Sequence, residues 1–145
     1  GQVGQVTVNS VVSDVTISLT GIGSTSAVGS VSATPITSYA VTVVSTGYGN
    51  KYFIDGVQQA TLTLNEGSTY RLDQSDGTNG PHPLRFSTTS DGTWSGGTEY
   101  TTGVTVNGVA GNPGAYTEIE VATGAPTLYY YCTNHSGMGG QANTP

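Results

Sequence analysis

The sequence predicts an all-β fold, on three observations. Apolar and polar residues alternate with a period of two in many short stretches, and no window repeats its apolar residues every 3.6 positions between helix caps. Only 8% of the residues are charged, and Gly, Ser, Thr, Val and Tyr abound, which is typical of sheets joined by tight turns. Turn clusters such as SDGTNGP and VAGNPG separate the alternating stretches. We therefore expect short strands and tight turns.

The stretches that alternate lie mainly between residues 38 and 145. In chain order, the eight candidate strands are YAVTVVS, KYFIDG, QATLTLNEG, STYRLDQS, HPLRFST, TEYTTGVTV, AYTEIEVAT and TLYYYC. Short strands at this spacing are typical of two-sheet sandwiches and barrels. A chain of 145 residues is also long enough to bury its own core. We predict one β domain over residues 38–145.

Residues 1–37 differ from the rest of the chain because they contain little apolar bulk. QVTVNSVV and VTISLT are strand candidates, followed by the small residues of TGIGSTSAVGSVSATP. We predict a short β-rich segment that precedes the main domain. The stretch SLTGIGSTSAVGSVSA resembles β repeats in the tail and fibre proteins of tailed phages. That resemblance implies a structural or adhesive module, joined to an extracellular or virion assembly through residues 1–37.

Charge and hydropathy exclude two classes of partner. Three basic residues against nine acidic ones give a net charge of −6, too little positive charge to neutralise several phosphates of a nucleic acid. No apolar run approaches the roughly 20 residues that span a bilayer, and the first residues lack the pattern of a signal peptide. The composition, poor in charged residues and rich in Ser and Thr, favours an extracellular, periplasmic or virion location.

The stretch YYYCTNHSGMGG contains three residue types that are rare in this chain. Cys132 is the only cysteine and Met138 the only methionine, and His135 is one of two histidines, the other being His82. A single cysteine forms no intramolecular disulfide, so Cys132 is a buried thiol, a reactive thiol or a metal ligand. Two histidines, a cysteine and a weak axial methionine are the ligand set of a blue copper site. We predict one copper ion per chain.

The C-x2-H-x2-M spacing, with a histidine about fifty residues upstream, resembles that of the cupredoxins, and its loop is similar in length to that of amicyanin. The resemblance covers residues 38–145 and implies a Greek-key sandwich that transfers single electrons. It implies equatorial ligands at His82, Cys132 and His135 and an axial ligand at Met138. A redox protein would then dock near His135. Tyr131, just before the cysteine, stands where plastocyanin-like proteins have a second electron route.

One residue departs from the family pattern. Pro83 follows the first histidine, where small cupredoxins usually place a backbone N–H that bonds the cysteine sulfur, and proline has no N–H. Asn134 stands where amicyanin-like loops often have proline, so its N–H can replace the missing donor. The sequence HPLRFS also resembles the H-P-x-H-x-H segment of multicopper oxidases, but Arg85 and Ser87 replace the histidines that would hold further copper.

Other metals fit this ligand set less well than copper. A binuclear copper centre needs a second cysteine, and structural zinc usually takes more thiolates and no methionine. The acidic stretch LDQSDGTNG lacks the spacing of an EF-hand and is interpreted as a turn. Trp94 lies in a turn, either as a partner contact or folded back over the sandwich.

Both histidines are assigned to the metal and no nucleophile has an oriented base, so we predict that the protein is not an enzyme.

Overall fold

Residues 33–145, the part of the chain that the computed structural model describes, form two mixed β-sheets. The strands are β1 (Ile36–Thr46), β2 (Gly49–Ile54), β3 (Val57–Gln58), β4 (Leu62–Thr63), β5 (Thr69–Asp73), β6 (Leu84–Ser87), β7 (Glu99–Tyr100), β8 (Val104–Asn107), β9 (Tyr116–Glu120), β10 (Leu128–Cys132) and β11 (Gly140–Asn143). Two 3₁₀ turns cover Gly77–Asn79 and Gly92–Ser95. The predictions for residues 1–32 lie outside the described residues, and β1 begins two residues before the predicted start of the main domain.

The two sheets confirm the predicted all-β sandwich. The first has the strand order β3-β2-β1-β5-β9-β8 and the second the order β4-β11-β10-β6-β7. Most neighbours are antiparallel, whereas β1 with β5 and β4 with β11 are parallel. The chain changes sheet after β3, β4, β5, β7 and β9. Repeated crossing between sheets is typical of Greek-key sandwiches.

Alternation along the strands produces one core between the sheets. β5 buries Tyr70 and Leu72 and leaves its other side chains partly exposed, because successive side chains of a strand point to opposite faces. From the second sheet, Leu84 and Phe86 of β6 join the same buried cluster. The burial of both inner faces fixes the register of each strand, since a shift by one residue would expose the apolar set.

One predicted strand is divided in the structure, and two observed strands were not predicted. The stretch TEYTTGVTV divides into β7 in one sheet and β8 in the other, because the chain turns at Gly103, whose φ is 69°. β3 has only two residues, and β11 has the sequence GQAN, so neither carries an apolar alternation long enough to be recognised. Within residues 33–145, no helix has the length and apolar character needed to cross a membrane.

The turn at Gly103 provides a test of the described packing. A Cβ at this position would lie 2.2 Å from the carbonyl oxygen of Glu120, and the φ of 69° is unfavourable for alanine. We expect Gly103→Ala to lower the free energy of unfolding by roughly 3 kcal/mol, as measured by urea unfolding followed by circular dichroism.

Gly124 offers a matched control because its φ is 74° but no heavy atom lies within 4 Å of the added Cβ. Gly124→Ala should cost about 1 kcal/mol, the backbone contribution alone. Equal losses in the two variants would contradict the close approach of Gly103 to β9.

Candidate metal centre

The pairing of β6 with β10 brings the predicted ligands to one end of the sandwich. Cys132 is the last residue of β10 and lies opposite Leu84, the first residue of β6. His82 precedes β6 by two residues and therefore reaches the same end. His135 and Met138 follow in the loop between β10 and β11, which we call the ligand loop, residues 133–139.

Three of the four predicted ligands lie close enough to share one ion. The Sγ atom of Cys132 is 3.8 Å from Nδ1 of His82 and 3.8 Å from Nδ1 of His135. All three candidate ligand atoms lie within 4.8 Å of one another. An ion about 2.1 Å from nitrogen and about 2.3 Å from sulfur, with about 120° between the bonds, separates the two ligand atoms by about 3.8 Å. The arrangement fits a metal ion.

The three residues differ in their access to solvent. Cys132 and His82 are buried, whereas His135 is exposed. Burial, and then the charge of the nearby His135, lower the pKa of His82 below its usual value. A neutral imidazole has a free lone pair, so both effects favour metal binding by His82.

Met138 is buried with the core and belongs to the same cluster of side chains as Cys132. Its carbonyl oxygen accepts a hydrogen bond of 3.0 Å from the backbone N–H of Tyr52 on β2. Met138 also lines the same surface cavity as His135. A buried thioether on the ligand loop provides a soft sulfur atom at this end of the molecule.

Asn134 provides the sulfur contact that Pro83 cannot make. The backbone N–H of Asn134 lies 3.4 Å from Sγ of Cys132 and is directed toward it. The side-chain amide of Asn134 donates a hydrogen bond of 3.0 Å to the carbonyl oxygen of Pro81. The same residue therefore contacts the cysteine sulfur and joins the ligand loop to the segment that carries His82.

A buried polar network holds the His82 segment. The carbonyl oxygen of His82 accepts hydrogen bonds from Nε2 of Gln74 at 2.9 Å and from the hydroxyl of Tyr52 at 2.7 Å. Oε1 of Gln74 accepts from the backbone N–H of Leu84 at 2.9 Å, and Nε2 also lies 3.2 Å from Oδ1 of Asn79. Burial raises the pKa of Tyr52 far above its usual range, so its hydroxyl remains a donor.

Sequence reasoning missed Gln74 because the stretches that contain it, STYRLDQS and LDQSDGTNG, were interpreted only as a strand and a turn. The turn itself is present: Asp73 accepts from the N–H of Ser75, and Asp76 accepts from that of Thr78. The only signal for Gln74 is its position directly after an alternating strand. The partners of its side chain are five, eight and ten residues away in the chain.

Three aromatic residues near the site differ in exposure. Tyr130 and Cys132 share the core, as the alternation of side chains along β10 requires. Tyr131 faces the other side of β10 but is only 1% exposed, because the 3₁₀ turn at Gly92 lies against its ring. Trp94 folds back over β10 and donates from Nε1 to the carbonyl oxygen of Cys132 at 2.9 Å, while half of it remains exposed.

Fold and site together define a two-sheet β protein with a His–Cys–His cluster that can hold a metal ion. Comparison of the chain with protein-family models, with curated proteins and with solved structures gives no match. The predicted membership of the cupredoxins therefore stays a prediction.

Replacing Gln74 tests the polar network beneath His82. Gln74→Leu would leave the N–H of Leu84 without its buried acceptor and remove one donor to the His82 carbonyl. We expect the free energy of unfolding of the metal-free protein to fall by roughly 2–4 kcal/mol, measured in urea. The exposed Gln141 serves as the control, and Gln141→Leu should change it by less than about 0.5 kcal/mol. A similar small effect of Gln74→Leu would show that the network contributes little.

Proposed function

We propose that residues 36–145 form a type 1 copper-binding domain that carries single electrons. The observation that supports this most directly is the position of one cysteine sulfur at 3.8 Å from the Nδ1 atoms of two histidines. The ligand loop adds a buried methionine to the same end of the fold. A thiolate, two imidazoles and a weak thioether are the donors of blue copper electron-transfer sites.

The donor types favour copper over other metals. Calcium and magnesium prefer oxygen ligands, and structural zinc sites are usually closed by four cysteine or histidine ligands. Soft sulfur favours Cu(I), and imidazole also accommodates Cu(II), so this set has partners for both oxidation states. When bound, copper would supply the one-electron couple that the amino acids lack.

The protein's own residues have two tasks in this proposal. Cys132 and His82 sit in the packed interior, where Gln74 and Tyr52 fix the His82 segment and restrict rearrangement. His135 remains at the surface, in a cavity lined also by the exposed Tyr48 and the half-exposed Trp94. An exposed ligand among aromatic side chains supports docking of a redox protein at this end. We place this activity outside the cytoplasm, because the composition is typical of extracellular domains.

The first test is titration of the metal-free protein with Cu(II), followed by visible absorption. We expect an intense blue band that saturates at one copper per chain and that Cys132→Ala abolishes. Ser136→Ala is the matched control, because Ser136 is an exposed neighbour on the same loop and should leave the band unchanged. Circular dichroism would verify that both variants fold. A wild-type protein that binds no copper, or a band retained without Cys132, would refute the proposal.

A second test concerns the N–H of Asn134 and its contact with the sulfur. Asn134→Pro removes this donor, which makes the thiolate more electron-rich and favours Cu(II), so we expect a lower reduction potential. A decrease of about 60 mV would correspond to a tenfold change in the one-electron equilibrium. Protein-film voltammetry measures it directly.

Asn134→Ala is the control for this test because it retains the N–H and loses only the side-chain bond to Pro81. Its potential should remain closer to that of the wild type. If the alanine variant fell as far as the proline variant, the side chain rather than the N–H would set the potential.

A further inference from the structure

The peptide groups of Gly137 are held on both sides by charged or polar side chains. Its N–H donates to Oδ1 of Asp91 at 2.8 Å. Its carbonyl oxygen accepts from Nζ of Lys51 at 2.5 Å and from Nε2 of Gln59 at 3.3 Å. We call Lys51, Gln59 and Asp91 the Gly137 clamp. An anion at the N–H and a cation at the carbonyl both strengthen hydrogen bonds relative to neutral partners.

The clamp extends across the methionine of the ligand loop. Nε2 of Gln59 also donates to the carbonyl oxygen of Gly139 at 2.6 Å, and the Met138 carbonyl is bonded by Tyr52. Three consecutive carbonyl groups, at residues 137, 138 and 139, are therefore occupied by donors from β2 and from the residue after β3. At Gly139 a Cβ would lie 1.7 Å from the carbonyl oxygen of Tyr130, so the loop backbone also lies directly on β10.

Two clamp residues adopt an unfavourable backbone conformation. Within residues 33–145, the non-glycine residues with positive φ are Asp55 at 48°, Gln59 at 46° and Asp91 at 59°. Glycine would adopt these angles without steric cost, whereas glutamine rarely does. Strained residues persist where the surrounding structure holds them and often occur at functional sites. Two of these three residues, Gln59 and Asp91, bond the ligand loop through their side chains. This indicates that a side chain is present at these positions, where glycine would suit the backbone, because it bonds the loop.

We propose that Lys51, Gln59 and Asp91 are positioning residues that fix the ligand loop before a metal ion binds. The loop then carries Met138 and His135 in a preorganised arrangement, so metal binding requires little ordering of the chain. A consequence, which rests on the proposed copper function, is that the clamp slows the release of a bound ion.

The inference is tested first on the metal-free protein, residues 1–145, by amide hydrogen exchange measured by NMR. Asp91→Gly removes the acceptor of the Gly137 N–H and also relieves the strained backbone, so we expect exchange at Gly137 to become about tenfold faster. Asp91→Asn retains a side-chain oxygen and should restore part of the protection. Asp55→Gly is the control, because Asp55 has the same backbone strain but bonds Ala40 instead of the loop. It should leave Gly137 unchanged.

The second readout is the rate at which a chelator removes Cu(II) from the loaded protein. The variants Asp91→Gly and Gln59→Gly should each release the ion several-fold faster than the wild type. The control Asp55→Gly should release it at the rate of the wild type. Unchanged exchange at Gly137 in Asp91→Gly would overturn the clamp, and faster exchange without faster release would overturn its positioning role. If the wild type binds no copper, the proposed function fails, and the exchange rates still decide whether the clamp holds the loop.

Discussion

The antiparallel pairing of β6 with β10 is the constraint on which the candidate metal centre depends. It places Leu84 opposite Cys132, and thereby brings the sulfur to within 3.8 Å of a histidine 50 positions earlier in the chain. Closing a loop of this length costs conformational entropy, which the buried side chains of the two strands must offset. Phe86 and Tyr130, which are paired across the two strands, are both fully buried. The core packing that stabilises the sandwich therefore also assembles the site.

Buried hydrogen bonds, in addition to apolar packing, hold the segment that contains His82. His82 lies outside the strands, yet its carbonyl oxygen accepts from Gln74 and Tyr52 and its N–H donates to the carbonyl oxygen of Asn79. Among the described residues, no buried side-chain nitrogen or oxygen lacks a partner. A fully satisfied buried network permits few alternative arrangements, because any movement leaves a polar group without a partner. The first histidine is therefore held by a rigid frame, whereas His135 lies on a loop held mainly from the surface.

The sequence predictions that the structure supports were based on strand alternation and on the small number of cysteine and histidine residues. Strand alternation predicted the all-β fold, and the spacing of the short strands predicted two sheets. The common face of Tyr130 and Cys132 also follows from the period of two. The proximity of His82 to Cys132 was expected because these residue types are rare in the chain. The Gly137 clamp and Gln74 could not be predicted, because their bonds join residues that no local pattern relates. Likewise, the cover over Tyr131 depends on where the chain turns at Gly92.

Asn134 contacts both the cysteine sulfur and the segment that contains His82. Its N–H approaches the sulfur of Cys132, and its amide bonds Pro81, the residue directly before His82. It also directly precedes His135 in the chain. Because Pro83 provides no donor, the electron density of the sulfur and the placement of both histidines depend partly on one exposed loop residue. The Gly137 clamp acts on the same loop, which is connected to the sulfur through the backbone at Asn134 and through Met138 in the core.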